Sequence, residues 1–133
     1  MRRIVKSTIA LNALGFTQTG GVDLFEPLVN QFNEYSRIND LDISLNFEVL
    51  SDTNSTTDSS SYEETLESYF IKKNTNYDII LYDNISTTRF GPHLLNLKDV
   101  VSDELIELYK PGISSKSCVY GEDKWVGLVT ILI

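Results

Sequence analysis

Apolar and polar residues alternate along this chain with two different periods, and the switches between them divide it into strands and helices. The most regular segment is Asp42 to Leu50, where Ile43, Leu45, Phe47 and Val49 fall on one face and Ser44, Asn46 and Glu48 on the other. Period two predicts a strand with one wetter face. Upstream, Ser7 to Phe16 reads as a first strand that ends in the polar loop Thr17-Gln18-Thr19-Gly20-Gly21. Between the two strands, Leu24, Phe25, Leu28, Val29, Phe32 and Tyr35 recur at helical spacing. Asp23 is the expected N-cap of that helix, with Glu26 three residues on, and Pro27 is placed in the first turn, where its missing N–H does little harm. The helix should end near Ser36, with a turn at Asn39-Asp40.

Ser51 to Ser61 holds no apolar residue and reads as a long surface loop. A second helix is expected from Tyr62 to Lys73, with Ser61 and Glu64 as a capping box, Leu66, Tyr69 and Phe70 as the buried stripe, and Lys72-Lys73 facing the C-terminal dipole. The run Tyr77-Asp78-Ile79-Ile80-Leu81-Tyr82 is nearly continuous in apolar residues and predicts a strand buried on both faces of a parallel sheet. The order βαβαβ therefore predicts an α/β fold with a mainly parallel sheet and helices on both faces. Further on, Leu94 to Leu97 reads as a short strand, and Ser102 to Tyr109 as a helix capped by Ser102 and ended by Pro111-Gly112. Ser117 to Tyr120 and Lys124 to Ile133 read as two strands joined by Gly121-Glu122-Asp123. Since the chain stops inside that apolar run, the domain is expected to be incomplete.

A length of 133 residues with 41% hydrophobic content is enough for one ordinary domain with a core. Charge narrows the partners. There are 19 acidic residues against 11 basic ones, a net charge of −8, and Arg2, Arg3 and Lys6 concentrate part of the positive charge at the start. Such a surface repels phosphate backbones and anionic lipid, so no nucleic-acid partner is expected and a neutral or cationic one suits it better. The longest apolar run is far short of the roughly 20 residues of a membrane span. Residues 1–6 read as a basic leader before a first strand, or with the following apolar residues as a degraded signal peptide interrupted at Asn12. The single Cys118 has no internal disulfide partner.

Signatures of catalysis are missing. The chain has no G-x-S-x-G, G-x-G-x-x-G, P-loop, CxxC or HExxH spacing, and no enzyme activity or cofactor is expected. His93 and Cys118 form the one conceivable base and nucleophile pair, and their simpler reading is a surface imidazole and a buried small hydrophobe. Asp78, Asp83, Asp99, Asp103 and Asp123 lack the spacing of a calcium loop, so no metal is expected. Asn54-Ser55-Thr56 and Asn84-Ile85-Ser86 match the N-glycosylation pattern, which matters only for a secreted eukaryotic chain.

Ligands of open parallel sheets bind beyond the carboxyl ends of the strands. Those ends carry Phe16-Thr17-Gln18 and Tyr82-Asp83-Asn84. Aromatic rings beside amides and a carboxylate suit a sugar, whose C–H face stacks on a ring while its hydroxyls take paired donors and acceptors. The plainer reading makes Phe16 and Tyr82 core and Asp83-Asn84 a turn.

Three passages resemble the extracellular solute-binding proteins of sugar ABC transporters, the maltose-binding-protein-like group. They are Leu24-Phe25-Glu26-Pro27-Leu28-Val29-Asn30-Gln31-Phe32-Asn33, like the family's first helix; Tyr77-Asp78-Ile79-Ile80-Leu81-Tyr82-Asp83, like its third strand; and Leu95-Asn96-Leu97-Lys98-Asp99 through Tyr120, Lys124, Trp125, Val126, Gly127 and Leu128, like the passage leading toward the second lobe. The resemblance runs from about Ile9 to Leu128 in family order. It implies a periplasmic-binding-protein-like fold, with residues 7–133 as part of an N-terminal lobe whose second lobe is missing. It also implies a non-catalytic module that closes around a carbohydrate or similar small polar solute, located outside the cell or in a periplasm. The positions carried over as ligand-binding are Phe16, Thr17, Gln18, Tyr82, Asp83, Asn84 and Arg89. Val129-Thr130 departs from the family pattern, which puts a hinge contribution in doubt. A fainter likeness to solute-binding ectodomains fused to class C receptor-type membrane regions would make the module a sensor, with a fused membrane region in place of a membrane transporter as its partner. The competing expectations are an α/β enzyme using a cleft carboxylate such as Asp83, and a non-functional truncated product.

Overall fold

Strand β1 (Ile9–Thr17) lies between β2 (Ile43–Ser51) and β3 (Ile79–Ile80) in a three-stranded parallel sheet of order β2-β1-β3. The computed structural model describes residues 7–18, 22–51, 59–112 and 114–128. It divides into two compact units after Tyr82. The first holds this sheet with helices α1 (Val22–Ile38) and α2 (Ser59–Ile71). The second holds the short helices α3 (Thr87–Phe90), α4 (Asp103–Tyr109) and α5 (Ser114–Ser117) and an antiparallel pair, β4 (Val119–Tyr120) with β5 (Lys124–Trp125). The fold is α/β, as the sequence predicts.

In the first unit β1 and β2 run in register from Ile9 opposite Ile43 to Thr17 opposite Ser51. Central position buries Ala13, Leu14 and Gly15 of β1. The odd-numbered face of β2 meets α1, where the Phe25 ring stands edge-on to Phe47 with centroids 4.9 Å apart. The Phe47 ring reaches over β1 to Gly15, where an added Cβ would come within 3.0 Å of it, so a glycine at this position admits the ring. The even-numbered face of β1 meets α2, whose buried Tyr62 stacks on Phe16 at 5.5 Å. One helix therefore packs on each face, α1 over the odd residues and α2 over the even ones.

Several local expectations are corrected. Helix α1 starts at Val22, so Asp23 lies inside it and Pro27 is two residues deeper than expected, in the second turn, where it lacks the N–H that would bond to the Asp23 carbonyl. Helix α2 starts at Ser59, and Ser61 is an internal residue whose carbonyl accepts from the Thr65 hydroxyl rather than a cap paired with Glu64. The expected loop after β2 falls mostly outside the described residues. Strand β3 is two residues long and forms a sheet edge, with Ile79 42% exposed, so it is not the doubly buried strand that its apolar run suggests. Both long helices close with left-handed residues other than glycine. At α1 Asp40 has φ 53° and Leu41 N–H reaches the Ser36 carbonyl; at α2 Lys73 has φ 51° and Asn74 N–H reaches that of Tyr69. These are Schellman closures, and Lys73 sits beyond the last helical turn instead of inside it.

The second unit packs Ile106, Cys118 and Trp125 together, with Leu97, Val101, Tyr109 and Val119 around them. Ser102 caps α4 by accepting from Leu105 N–H at 3.3 Å, as the sequence predicts. Leu94 to Leu97 is not a strand: 3₁₀ turns at Gly91–His93 and Leu97–Asp99 occupy this region, and the Asn96 Oδ1 accepts from the N–H groups of Lys98 and Trp125. The two expected C-terminal strands shrink to residue pairs joined by 121–123, and Val129 to Ile133 lies outside the described residues. Residues Ser114–Ser117, read partly as strand, are helical. Among the described residues no helix is long and apolar enough to cross a membrane.

Candidate ligand-binding site

Because β1 and β3 are parallel and adjacent, pairing Ala13 with Ile79 and Leu14 with Ile80, the segments that follow them leave the sheet at the same end. Phe16 and Thr17 are half-buried in the last two positions of β1, and Gln18 follows them exposed to solvent. Tyr82 is half-buried two residues after β3. Tyr62 braces this end of the sheet from below. Its hydroxyl donates to the Leu81 carbonyl at 2.7 Å and lies 3.3 Å from that of Leu14, tying the two strands together. Burial, reinforced by Tyr77 and Tyr69, pushes the Tyr62 phenol well above the usual tyrosine range, so it remains a neutral donor.

The remaining expected ligand residues belong to the second unit. Asp83 caps a 3₁₀ turn (Asn84–Ser86) by accepting from Ile85 N–H at 3.2 Å, and Asn84 is the first residue of that turn; both are exposed. Arg89 is exposed in α3, with its guanidinium 5.6 Å from the centroid of Phe90. The first unit thus holds Phe16, Thr17, Gln18 and Tyr82, and the second holds Asp83, Asn84 and Arg89.

His93 is exposed in a 3₁₀ turn, whereas Cys118 is buried in the core of the second unit. Burial pushes the Cys118 thiol up, against a smaller downward effect of the Ser117 hydroxyl, and so disfavours the thiolate that a nucleophile requires. Among the described residues no group of three or more His, Cys, Asp or Glu side chains could hold a metal ion.

A concavity that includes none of the expected site residues lies lower on the same sheet. Its volume is about 480 Å³ and its polar lining comprises Asn12, Asn46, Glu48, Asn76 and Tyr77. Asn12 and Asn46 are register partners, and the Asn46 amide donates to the Asn12 Oδ1 at 3.2 Å. Tyr77 reaches across β1 to donate to Glu48 Oε2 on β2 at 2.5 Å. That bond, with some burial, pushes the Tyr77 phenol up to about 12. The signal was present in the sequence as the wet face of β2, Ser44-x-Asn46-x-Glu48, but the partners Asn12 and Tyr77 come from elsewhere in the chain. No family model, curated protein or solved structure matches this chain.

Proposed function

We propose that this protein is a non-catalytic solute-binding module, resembling a lobe of the maltose-binding-protein-like group, that recognises a carbohydrate or similar small polar solute for transport or sensing outside the cell. The observation that carries this reading is the parallel β1–β3 pairing, which delivers Phe16, Thr17 and Gln18 to the same end of the sheet as Tyr82. Strand ends of this kind are where open parallel sheets take ligands, because backbone amides and loop side chains converge there without disturbing the core. Phe16 offers ring surface for a sugar C–H face, while Thr17 and Gln18 carry the hydroxyl and amide that its OH groups require. The acidic surface favours a neutral solute over an anionic one.

Isothermal titration of the chain against a panel of neutral sugars tests the proposal. The expected result is heat of binding without turnover for at least one sugar, weakened about tenfold or more in Phe16→Ala, in line with the roughly 1.4 kcal/mol that a tenfold change represents. Turnover of a bound sugar would favour an enzyme instead. Absence of binding to every sugar in the panel would overturn the reading.

A further inference from the structure

We infer that the concavity lined by Asn12, Asn46, Glu48, Asn76 and Tyr77 is a second binding site, for a neutral polyhydroxylated molecule, separate from the strand-end site. Its place is distinct. Its lining begins at Asn12, five positions or about 16 Å before Thr17 along a strand rising roughly 3.3 Å per residue, and reaches Glu48, whose register partner Leu14 is three positions or about 10 Å before Thr17. Its volume of about 480 Å³ falls within the roughly 300–1,000 Å³ of small-molecule sites, and it is open to solvent, with Asn46, Glu48 and Asn76 exposed.

The polar residues here lie on the wetter face of the sheet, with Asn46 and Glu48 exposed. Strand interiors favour β-branched and aromatic side chains and are poor in Asn, yet two Asn residues stand opposite each other in the middle of β1 and β2. Glu48 follows on the same face, two residues beyond Asn46. A facing pair of Asn residues in strand interiors departs from local preference, and such departures are where function is to be sought.

The polar groups are also fixed before any ligand arrives. Asp78 holds the wall formed by Asn76 and Tyr77 against β1, because its carboxylate accepts from Asn12 N–H at 2.9 Å and its own N–H donates to the Asn12 carbonyl at 2.7 Å. The Tyr77 hydroxyl pins Glu48 through Oε2, and the Tyr69 ring lies 5.7 Å from that of Tyr77. A carboxamide has two donors and an acceptor, and the bond between Asn46 and Asn12 uses only one N–H and one oxygen of the pair. Adjacent amides beside a carboxylate match the alternating donors and acceptors of vicinal hydroxyls, and the Tyr77 ring offers a surface for C–H groups. The lining contains no Lys or Arg and one carboxylate, so phosphorylated or carboxylated ligands are disfavoured.

Titration of the isotopically labelled chain with D-glucose, maltose and myo-inositol, followed by NMR of the backbone and side-chain amides, tests the site. One of these ligands should shift the amide signals of Asn12, Asn46 and Asn76. Asn46→Leu and the isosteric Glu48→Gln should each weaken that binding about tenfold or more. Glu48→Gln preserves shape, so its effect separates lost recognition from a fold disturbed by Asn46→Leu. Shifts confined to Thr17 and Gln18, binding unaffected by both groove variants, or no shift with any of the three ligands would each overturn the inference. A loss in Phe16→Ala with the groove variants intact would remove this site and leave the strand-end reading standing.

Discussion

The Asn33 carboxamide pairs with the backbone of Leu45 at both ends: its Oδ1 accepts from Leu45 N–H at 2.7 Å and its Nδ2 donates to the Leu45 carbonyl at 3.0 Å. One helical turn further on, the buried Ser36 hydroxyl donates to the Ile43 carbonyl at 2.6 Å and lies 3.2 Å from Ile43 N–H. Residues 43 and 45 direct these groups away from β1, toward the open side of β2. Two polar side chains of α1 thus occupy an edge that would otherwise be a template for another strand. The helix does more than cover an apolar face.

Replacing Asn33 with Ala should therefore cost about 1–3 kcal/mol, the penalty for leaving a half-buried N–H and C=O unpaired. Asn33→Asp should fall in between, because a carboxylate still accepts from Leu45 N–H but places an oxygen against its carbonyl. Urea unfolding of the three proteins would order them, and an alanine variant as stable as the parent would refute the capping role. Light scattering of the alanine variant should also show more self-association through the uncovered edge.

Gly91 is the most crowded of the described glycines in the second unit. It is buried, and an added Cβ would lie 2.4 Å from Cγ and 2.5 Å from Cβ of Tyr120, while its carbonyl accepts from the Lys124 ammonium at 2.8 Å. Gly91→Ala should destabilise the protein by about 1–3 kcal/mol, the range for overpacking a filled site. Because the clash includes the Tyr120 Cβ, adding Tyr120→Ala should not rescue it. Recovery of the melting temperature in the double variant would contradict this account.

Lys73 holds a left-handed conformation, φ 51°, to close α2. For a residue with a Cβ this costs about 1–2 kcal/mol that glycine does not incur. Lys73→Gly should accordingly raise stability by about 1 kcal/mol, and Asp40→Gly by less, since Asp tolerates this region better. Thermal melts of both variants provide the check, and a lower midpoint for Lys73→Gly would be the failing outcome.

Alkaline pH should loosen the first unit. Tyr62 and Tyr77 both have phenols raised above the ordinary tyrosine value, Tyr62 mainly by burial and Tyr77, up to about 12, mainly by its bond to Glu48. The folded state then holds protons that the unfolded chain releases, so stability is flat below about pH 10 and falls between about pH 10 and 12. Phenolate absorbance and circular dichroism followed together across that range should show these tyrosines ionising late. In Tyr77→Phe the alkaline decline should be shallower, and an unchanged decline would show that Tyr77 does not contribute.

Much of the architecture was legible because it rests on short-range periodicity. The alternation from Ile43 to Val49 located β2, the helical spacing from Leu24 to Tyr35 located α1, and Ser102 marked the start of α4. Errors gathered where a local signal competes with distant partners. Ser61 and Glu64 looked like a capping box, but α2 begins two residues earlier, at Ser59. The Ile79-Ile80 run looked doubly buried because apolar content says nothing of a strand's place in the sheet, and β3 lies at its edge.

The sequence by itself determined the α/β class and the order of the strands and helices along the first unit, since both follow from side-chain period and turn chemistry within a few residues. Only the tertiary structure decided that β1 is central and that Asn33 and Ser36 seal the outer edge of β2. It alone brought Asn12, Asn46, Glu48 and Tyr77 into one concavity. Those relationships join residues up to 66 positions apart, as Asn12 and Asp78 show. Pairing at that range depends on which strands become neighbours once the core is buried, and no local pattern encodes it.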